Sequence, residues 1–478
     1  FWLKPRGQQT FCGPAMAAGA PDGAHWTSTP AIFVGHVVQV GDHFPTVTVE
    51  HQALAVSGKG KIAKVVSCGS DEESVARAVA VCAAAVGGDP PPVRRLSGAQ
   101  LLLPGLIDGH IHAPQYAYAG LGTDCALMGP GGWLERHAFP AERRLAADRV
   151  LRAGTTTALY FATQSGEVSE VLAACCAERG QRAFVGRVAM DRHCPDNYAD
   201  ASAEAGVASS EAFLASVAAR HGDLVQGAIT PRFVPTCTRA LLRGLGRVAA
   251  RHPGAVVQSH ISESSDEVLF TQFAEDSKTA RDADIFDECG LLRAPAVMAH
   301  AVHLRPREME LLAQRGCAIA HCPLSNAYFA NGQLDVLDAV ARGCVVCLGT
   351  DVAGGYSPSM LSAIRHAVVC SRTMRESSAE ASLSWRGALW LATAGGAAAL
   401  GLGARCGRLA EGLDFDALVA DAEPRCGGPP PYEARELVAA GELGPLLPPD
   451  ALLERFLNLG DDRNVAAVFV AGRLVASG

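Results

Sequence analysis

The sequence predicts an α/β chain in which a (β/α)8 barrel is joined to a small β-sandwich domain built from both chain ends. Three observations carry this prediction. Eight short apolar, β-branched runs recur through the middle of the chain: Leu102–His112, Thr155–Phe161, Ala183–Met190, Val225–Phe233, Ala255–His260, Ala296–His300, Ala318–His321 and Val345–Thr350. Most are followed by a helix-like segment (Glu135–Ala153, Val168–Gly180, Glu211–His221, Arg239–Arg251, Pro306–Gly316, Leu334–Gly343), and strands that alternate with helices build parallel sheets. The two chain ends share a different, strand-rich texture. A doubly wound open sheet is the alternative, but no Gly-x-Gly-x-x-Gly opens a helix after an early strand.

Taken in order, residues 1–30 show little periodicity and are expected to form a poorly ordered tail. Ala31–Val40, Thr46–Glu50, Gln52–Val56 and Lys61–Val66 read as strands separated by Gly and Asp turns. Ser74–Val86 looks helical and Gly87–Arg95 reads as a Pro/Gly linker, so the first part of the β domain spans 31–103. The barrel takes 104–404. Strand texture returns at Ala417–Ala420 and Ala466–Val475, which makes 405–478 the second part of the β domain. The long uncharged run Gly387–Ala404 is mostly Ala and Gly with a Gly395-Gly396 break, and predicts a packed helix rather than a membrane span.

Composition narrows the partners. The 478 residues are 49% hydrophobic, enough for one large domain or two to three ordinary ones. The net charge is -8 and no long basic run is present, which argues against nucleic acid. The 16 cysteines are scattered through apolar segments and do not form a secreted disulfide framework. Cys344 and Cys347 are spaced Cys-x-x-Cys, but on a strand they face opposite sides and read as core residues. A reducing compartment follows, and a cytoplasmic protein is expected. The N-terminal stretch lacks an apolar core followed by a small-residue cleavage site, so no secretory signal is expected; an organellar transit segment is the alternative.

In a barrel of this kind chemistry gathers at the C-terminal ends of the strands. Strand one ends in His110-Ile111-His112, where residues two apart share a face and both imidazoles can grip one divalent metal. Asp108 lies on the same face and is expected to support the site from behind its ligands. Strand four ends in Thr230-Pro231-Arg232-Phe233, strand five in Ser259-His260-Ile261-Ser262-Glu263, and strand six in Met298-Ala299-His300. Strand seven ends in His321-Cys322-Pro323-Leu324-Ser325-Asn326 and strand eight in Gly349-Thr350-Asp351. A lone strand-end histidine is more often structural than a ligand. His110, His112, His260, His300 and His321 together, with an acid on strand eight, fit a metal pocket.

These motifs resemble the amidohydrolase superfamily, and within it the branch that deaminates guanine. The resemblance is carried by Pro104–His112, Gln115-Tyr116, Phe139–Glu142, Gly154–Ala158, Gln181–Asp191, Thr230–Phe233, Gln258–Glu263, Val297–His300, Ala320–Pro323, Leu348–Ser357 and Gly460–Asn464, and runs from about Ile32 to Leu474. The metal motifs belong to the whole superfamily, whereas Gln115, Thr230-Pro-Arg-Phe233 and Val352-Ala-Gly-Gly355 point to the guanine branch. Three departures stand out. Gly109 occupies a place where Thr is expected, Gly129-Pro-Gly-Gly132 precedes Trp133, and the first thirty residues have no counterpart.

The resemblance implies hydrolysis of guanine to xanthine and ammonia, with one zinc ion held by His110, His112, His260 and Asp351. Three imidazoles and a carboxylate suit Zn²⁺ and leave a position for water. Some barrel hydrolases bridge two metals with a carboxylated lysine, but strand four ends in Arg232 instead. An amide anion is too basic to leave, so Glu263 is expected to protonate the ring nitrogen and then shuttle protons. Asp351 would bind zinc and also orient the water or take its proton, and His300 would hydrogen-bond the water or the developing oxyanion. By donor and acceptor inventory, Arg232 meets the O6 and N7 acceptors of guanine, Gln115 suits an edge that alternates both, and Phe233 or Trp133 stacks on the ring. Two other readings stay open: a deaminase or hydrolase of another cyclic amidine (pyrimidine, triazine or adenosine-type), and a catalytically inactive scaffold barrel. The resemblance also implies a homodimer, formed through the segment around Gly460–Asn464.

Overall fold

The computed structural model describes residues 26–121, 133, 148–374, 382–422 and 447–477. The expectations for residues 1–25, for the Gly129–Gly132 insertion, for Phe139–Glu142 and for most of the helix at 135–153 lie outside the described residues. Two sheets organise the rest. The first is mixed and comes from both chain ends: β1 (Ala31–Val40), β2 (Val47–Val56), β3 (Ile62–Ser67), β4 (Val93–Arg95) and β5 (Gln100–Pro104) precede the barrel. The barrel strands are β6 (Leu106–His112), β7 (Thr155–Phe161), β8 (Arg182–Ala189), β9 (Val225–Pro231), β10 (Val257–Ile261), β11 (Ala296–His300), β12 (Ala318–His321) and β13 (Val345–Leu348). Finally β14 (Ala417–Asp421), β15 (Val465–Val470) and β16 (Arg473–Ser477) return to the first sheet, whose order is β16-β15-β14-β5-β1-β2-β3 with β4 beside β1.

The mixed sheet curls over one of its own faces. Phe33 on β1, Phe469 on β15 and Phe415 just before β14 bring their rings within 4.9–5.5 Å of one another, although β5 and β14 separate β1 from β15 in the sheet. The helix Glu72–Val86, capped by Asp71 on the amide of Ser74, covers part of the other face with Val75, Ala78 and Cys82. Three local expectations need correcting. Residues 46–56 form one strand and not two, because His51 stays in register with His36 and no turn intervenes. The Gly87–Arg95 linker contains β4, paired parallel to β1. The apolar run Leu101–Leu103 belongs to β5, paired with β1 and β14, and not to the barrel's first strand. Gly105 makes that change of sheet: a Cβ there would lie 2.1 Å from Thr156 Oγ1, so only glycine lets the chain cross.

The eight barrel strands run parallel in chain order, β6 through β13. β13 ends at Leu348, two residues earlier than expected, and the seam back to β6 is closed beyond it by side-chain and loop bonds. Asp108 accepts from the Thr350 amide (3.0 Å) and from the Thr350 hydroxyl (2.5 Å), and the Asp351 amide donates to the His110 carbonyl (2.9 Å). The predicted crossover helices are present within the described residues, for example Gly166–Arg179, Ala203–His221 and Arg239–Arg251. The Gly387–Ala404 run is helical from Trp385 to Ala399, with π-type winding at Leu391–Gly395. Its glycine pair serves close packing: a Cβ on Gly395 would meet the Val346 carbonyl at 2.7 Å, and one on Gly396 would meet Ile107 at 2.7 Å.

Barrel and mixed sheet are pinned by a buried ion cluster. Arg182 on β8 donates to Asp416 (2.8 Å) and Asp414 (2.9 Å), and Lys61 reaches Asp414 at 2.5 Å. No helix among the described residues is long and apolar enough to cross a membrane.

Candidate active site

His110 and His112 are buried at the end of β6 with ring centroids 5.0 Å apart. They converge with His260 from β10 and Asp351 from beyond β13. His110 Nε2 lies 3.1 Å from Asp351 Oδ1, and His112 Nε2 lies 3.4 Å from the same oxygen and 3.1 Å from His260 Nε2. A tetrahedral zinc ion with ligands at about 2.0–2.1 Å places its ligand atoms about 3.3–3.4 Å apart, so these spacings fit one ion. His110 Nε2 is buried without a hydrogen-bond partner. His260 Nδ1 donates to the Arg232 carbonyl at 2.7 Å, which leaves the Nε2 lone pair facing the group. Burial, and then the charges of neighbouring histidines and Arg232, hold all three imidazoles well below the usual histidine range. They are neutral donors, as a metal requires.

Local backbone features aim these side chains. Between Asp108 and Ile111 the pairing of β6 with β7 slips, so three steps on β6 match two on β7. Such a bulge re-aims side chains beside a site. Asp108 supports the site through backbone and seam: its carboxylate takes the amide of His110 (3.2 Å) and the Thr350 groups that precede Asp351. Burial pushes Asp108 up to about 7 against those three bonds. The departure at Gly109 has a steric reason, since a Cβ there would lie 2.4 Å from Cys347 Sγ. Asp351 adopts a left-handed conformation (φ 46°), fixed by its amide bond to the His110 carbonyl.

Two further groups face the metal ligands. Glu263 is buried two residues beyond β10, and its Oε2 lies 3.7 Å from His300 Nε2. Burial first, and then the Asp351 carboxylate, raise Glu263 well above the usual carboxylate range, a direction that favours its protonated form. His300 Nε2 lies 3.8 Å from Asp351 Oδ2, while its Nδ1 is paired with Asn326 Oδ1 at 2.8 Å. Glu263, His300 and Asp351 form a second group able to hold a cation, sharing Asp351 with the first.

A pocket opens onto this cluster, lined by Gln115, Trp133, Arg232, Glu263, Ser325 and Phe329 among others. Gln115 has duties of its own: its amide nitrogen lies 3.1 Å from His112 Nδ1 and its oxygen accepts from the Ala353 amide at 3.2 Å. Trp133 donates to the Leu121 carbonyl at 3.0 Å and packs on Phe329, centroids 5.1 Å apart. Phe233 is buried edge-on against His260 at 6.2 Å and is not among the lining residues. The aromatic wall is Trp133 with Phe329. His321 is buried but stands outside both metal-capable groups. Sequence reasoning missed Phe329 and Ser325, four apart on the helix Pro323–Phe329, and Phe161, which packs on His110, His112 and His260 at 4.6–4.9 Å. The 3.6-residue period after strand seven was the available signal for the first two.

Comparisons with known proteins agree with this geometry. The model of the amidohydrolase family matches residues 101–475. The guanine deaminase of Rattus norvegicus is 36% identical over 462 residues, covering 93% of this chain and 96% of that protein. The guanine deaminase of Homo sapiens is 35% identical over 472 residues, 96% of this chain and 98% of that protein. Among solved structures, guanine deaminase from C. acetobutylicum with guanine bound in its active site superposes with a TM-score of 0.77 at 27% identity, covering 93% of this chain and 99% of that one.

Proposed function

We propose, because this chain belongs to the amidohydrolase family, that it hydrolyses guanine to xanthine and ammonia with one zinc ion, a step of purine breakdown. The observation that carries the proposal is the convergence of His110, His112, His260 and Asp351 on one point of a pocket that also holds a buried arginine and the buried carboxyl of Glu263. The similar proteins named as guanine deaminases support the choice of substrate.

Those four residues would hold the zinc ion, which when bound would supply Lewis acidity, lowering the pKa of water to about 7. The protein's own groups do the rest. Glu263, neutral before reaction, protonates a ring nitrogen next to the amino-bearing carbon, which makes that carbon accept water. It then carries one proton of the water to the departing amino group, which leaves as ammonia, and takes back the second as the new carbonyl forms, restoring its neutral form. Asp351 and His300 orient the water from the other side. Arg232 and Gln115 hold the ring edges, and Trp133 with Phe329 covers a ring face. We also assign a homodimer with the Gly460–Asn464 segment at its contact, and a cytoplasmic location in keeping with the free cysteines.

The test is product analysis: xanthine and ammonia should appear in equal amounts from guanine. A chain that instead turns over a pyrimidine, triazine or adenosine-type compound and leaves guanine untouched refutes the proposal. The metal has its own test. Purified protein should carry about one zinc per chain, and His110→Ala with His112→Ala should strip it by removing half of the four-ligand set. Full zinc loading after that double change would show the site to be elsewhere.

A further inference from the structure

Two buried carboxylates that the proposed mechanism does not use stand directly behind the acid. Glu267, fully buried on the helix Ser265–Ala274, accepts the backbone N–H of Glu263 on Oε2 at 2.6 Å. Asp282, buried at the start of the helix Asp282–Glu288, accepts the preceding N–H, that of Ser262, at 2.9 Å, together with the Ser262 hydroxyl at 2.8 Å. Its other oxygen takes the Thr271 hydroxyl at 2.8 Å. Acids from two different helices thus hold successive peptide groups of one corner. That corner is strained, because Ser262 adopts φ 45° without being glycine. The Ala301 and His303 amides tie it to the end of β11 by donating to the carbonyls of Ile261 and Ser262.

Helix capping alone does not explain Glu267. Ser264 caps the helix by accepting the Glu267 amide at 3.0 Å, and in an ordinary capping box the acid would return to the amide of Ser264 itself. Here it reaches one residue further back. Its Oε1 is buried with no partner, an arrangement that works against stability. A group kept at such a cost is expected where geometry matters to function.

We propose that Glu267 is a positioning residue: by holding the peptide of Glu263 it aims the Glu263 carboxyl into the space between His300 and Asp351. The proposal rests on the role given to Glu263 above. Glu267→Gln keeps an oxygen acceptor, whereas Glu267→Leu keeps comparable bulk and loses it; each is made alone and in combination with Glu263→Gln. Glu267→Leu should lower kcat about 10²-fold, the scale of a small misplacement of a reacting group, with KM and zinc content close to wild type. Glu267→Gln should keep at least roughly a tenth of kcat, because one acceptor replaces another. Adding Glu267→Leu to Glu263→Gln should cost nothing more, since the two act as one unit. Equal losses in both backgrounds would overturn the proposal and leave Glu267 a purely structural residue. Hydrogen exchange at the Glu263 amide needs no substrate and decides the matter if the leucine variant does not fold. It should be slow in wild type and in Glu267→Gln, and rapid exchange in wild type would overturn the positioning role. Wild-type protein inert on guanine would end the functional reading while leaving this exchange result to stand by itself.

Discussion

Arg232→Ala is expected to remove nearly all guanine turnover and to leave the zinc in place. The two effects separate because Arg232 does two jobs with different atoms. Its backbone carbonyl accepts from the ring and the amide of His260 (2.7 and 3.2 Å), and alanine keeps that carbonyl. Its side chain lines the pocket and carries only donors. Guanine offers O6 and N7 as neighbouring acceptors, which a guanidinium meets with two parallel bonds. Adenine places an amino group where O6 would be, so a buried cation would face a donor. A site built on such hydrogen bonds rejects the wrong partner by roughly 10⁴-fold, far beyond the 10–200-fold that apolar fit gives. Steady-state kcat/KM on guanine, adenine and cytosine, with metal analysis of the variant, checks this. Comparable rates on guanine and adenine, or a normal Arg232→Ala protein, would sink the assignment.

Glu263→Gln should retain zinc and lose at least ~10²-fold in turnover, the usual scale for one acid/base group. Glutamine preserves shape and polarity but cannot exchange a proton, whereas burial and Asp351 raise the Glu263 carboxyl toward holding one. The variant also decides between two cation sites that share Asp351: the four-residue set with the three histidines, and the set of Glu263, His300 and Asp351. If zinc departs with Glu263→Gln, the second set is the ligand shell, Glu263 and His300 join Asp351 as ligands, and the acid role given to Glu263 falls.

Much of this was legible in the residue pattern. Barrel strands announce themselves as short β-branched runs, and placing the ends of those runs side by side brings His110, His112, His260, His300 and Asp351 together before any coordinate is seen. What periodicity cannot show is where a close approach between distant segments breaks it. Gly105 changes sheets because Thr156 lies against it, and the slip after Asp108 turns that acid to the seam. Likewise the carboxylates behind Glu263 come from two helices, of which only the first, with Ser264 three residues before Glu267, shows a cap pattern in its sequence. The pocket wall shows the same limit: Phe233 packs beside His260, while Phe329, brought in from another element, lines the pocket with Trp133.

The seam between β6 and β13 also governs when the site can exist at all. Asp108 and its partner Thr350 are 242 residues apart, with two of the four candidate ligands at the start of that interval and Asp351 just past its end. At about 5–20 residues per second, a ribosome needs roughly 10–50 s to make the intervening chain. During that time His110 and His112 emerge as a bare imidazole pair, with neither the carboxylate nor the strand that locks them. If these four residues hold an ion as proposed, the four-ligand set is complete only once the eighth strand has been synthesised and docked.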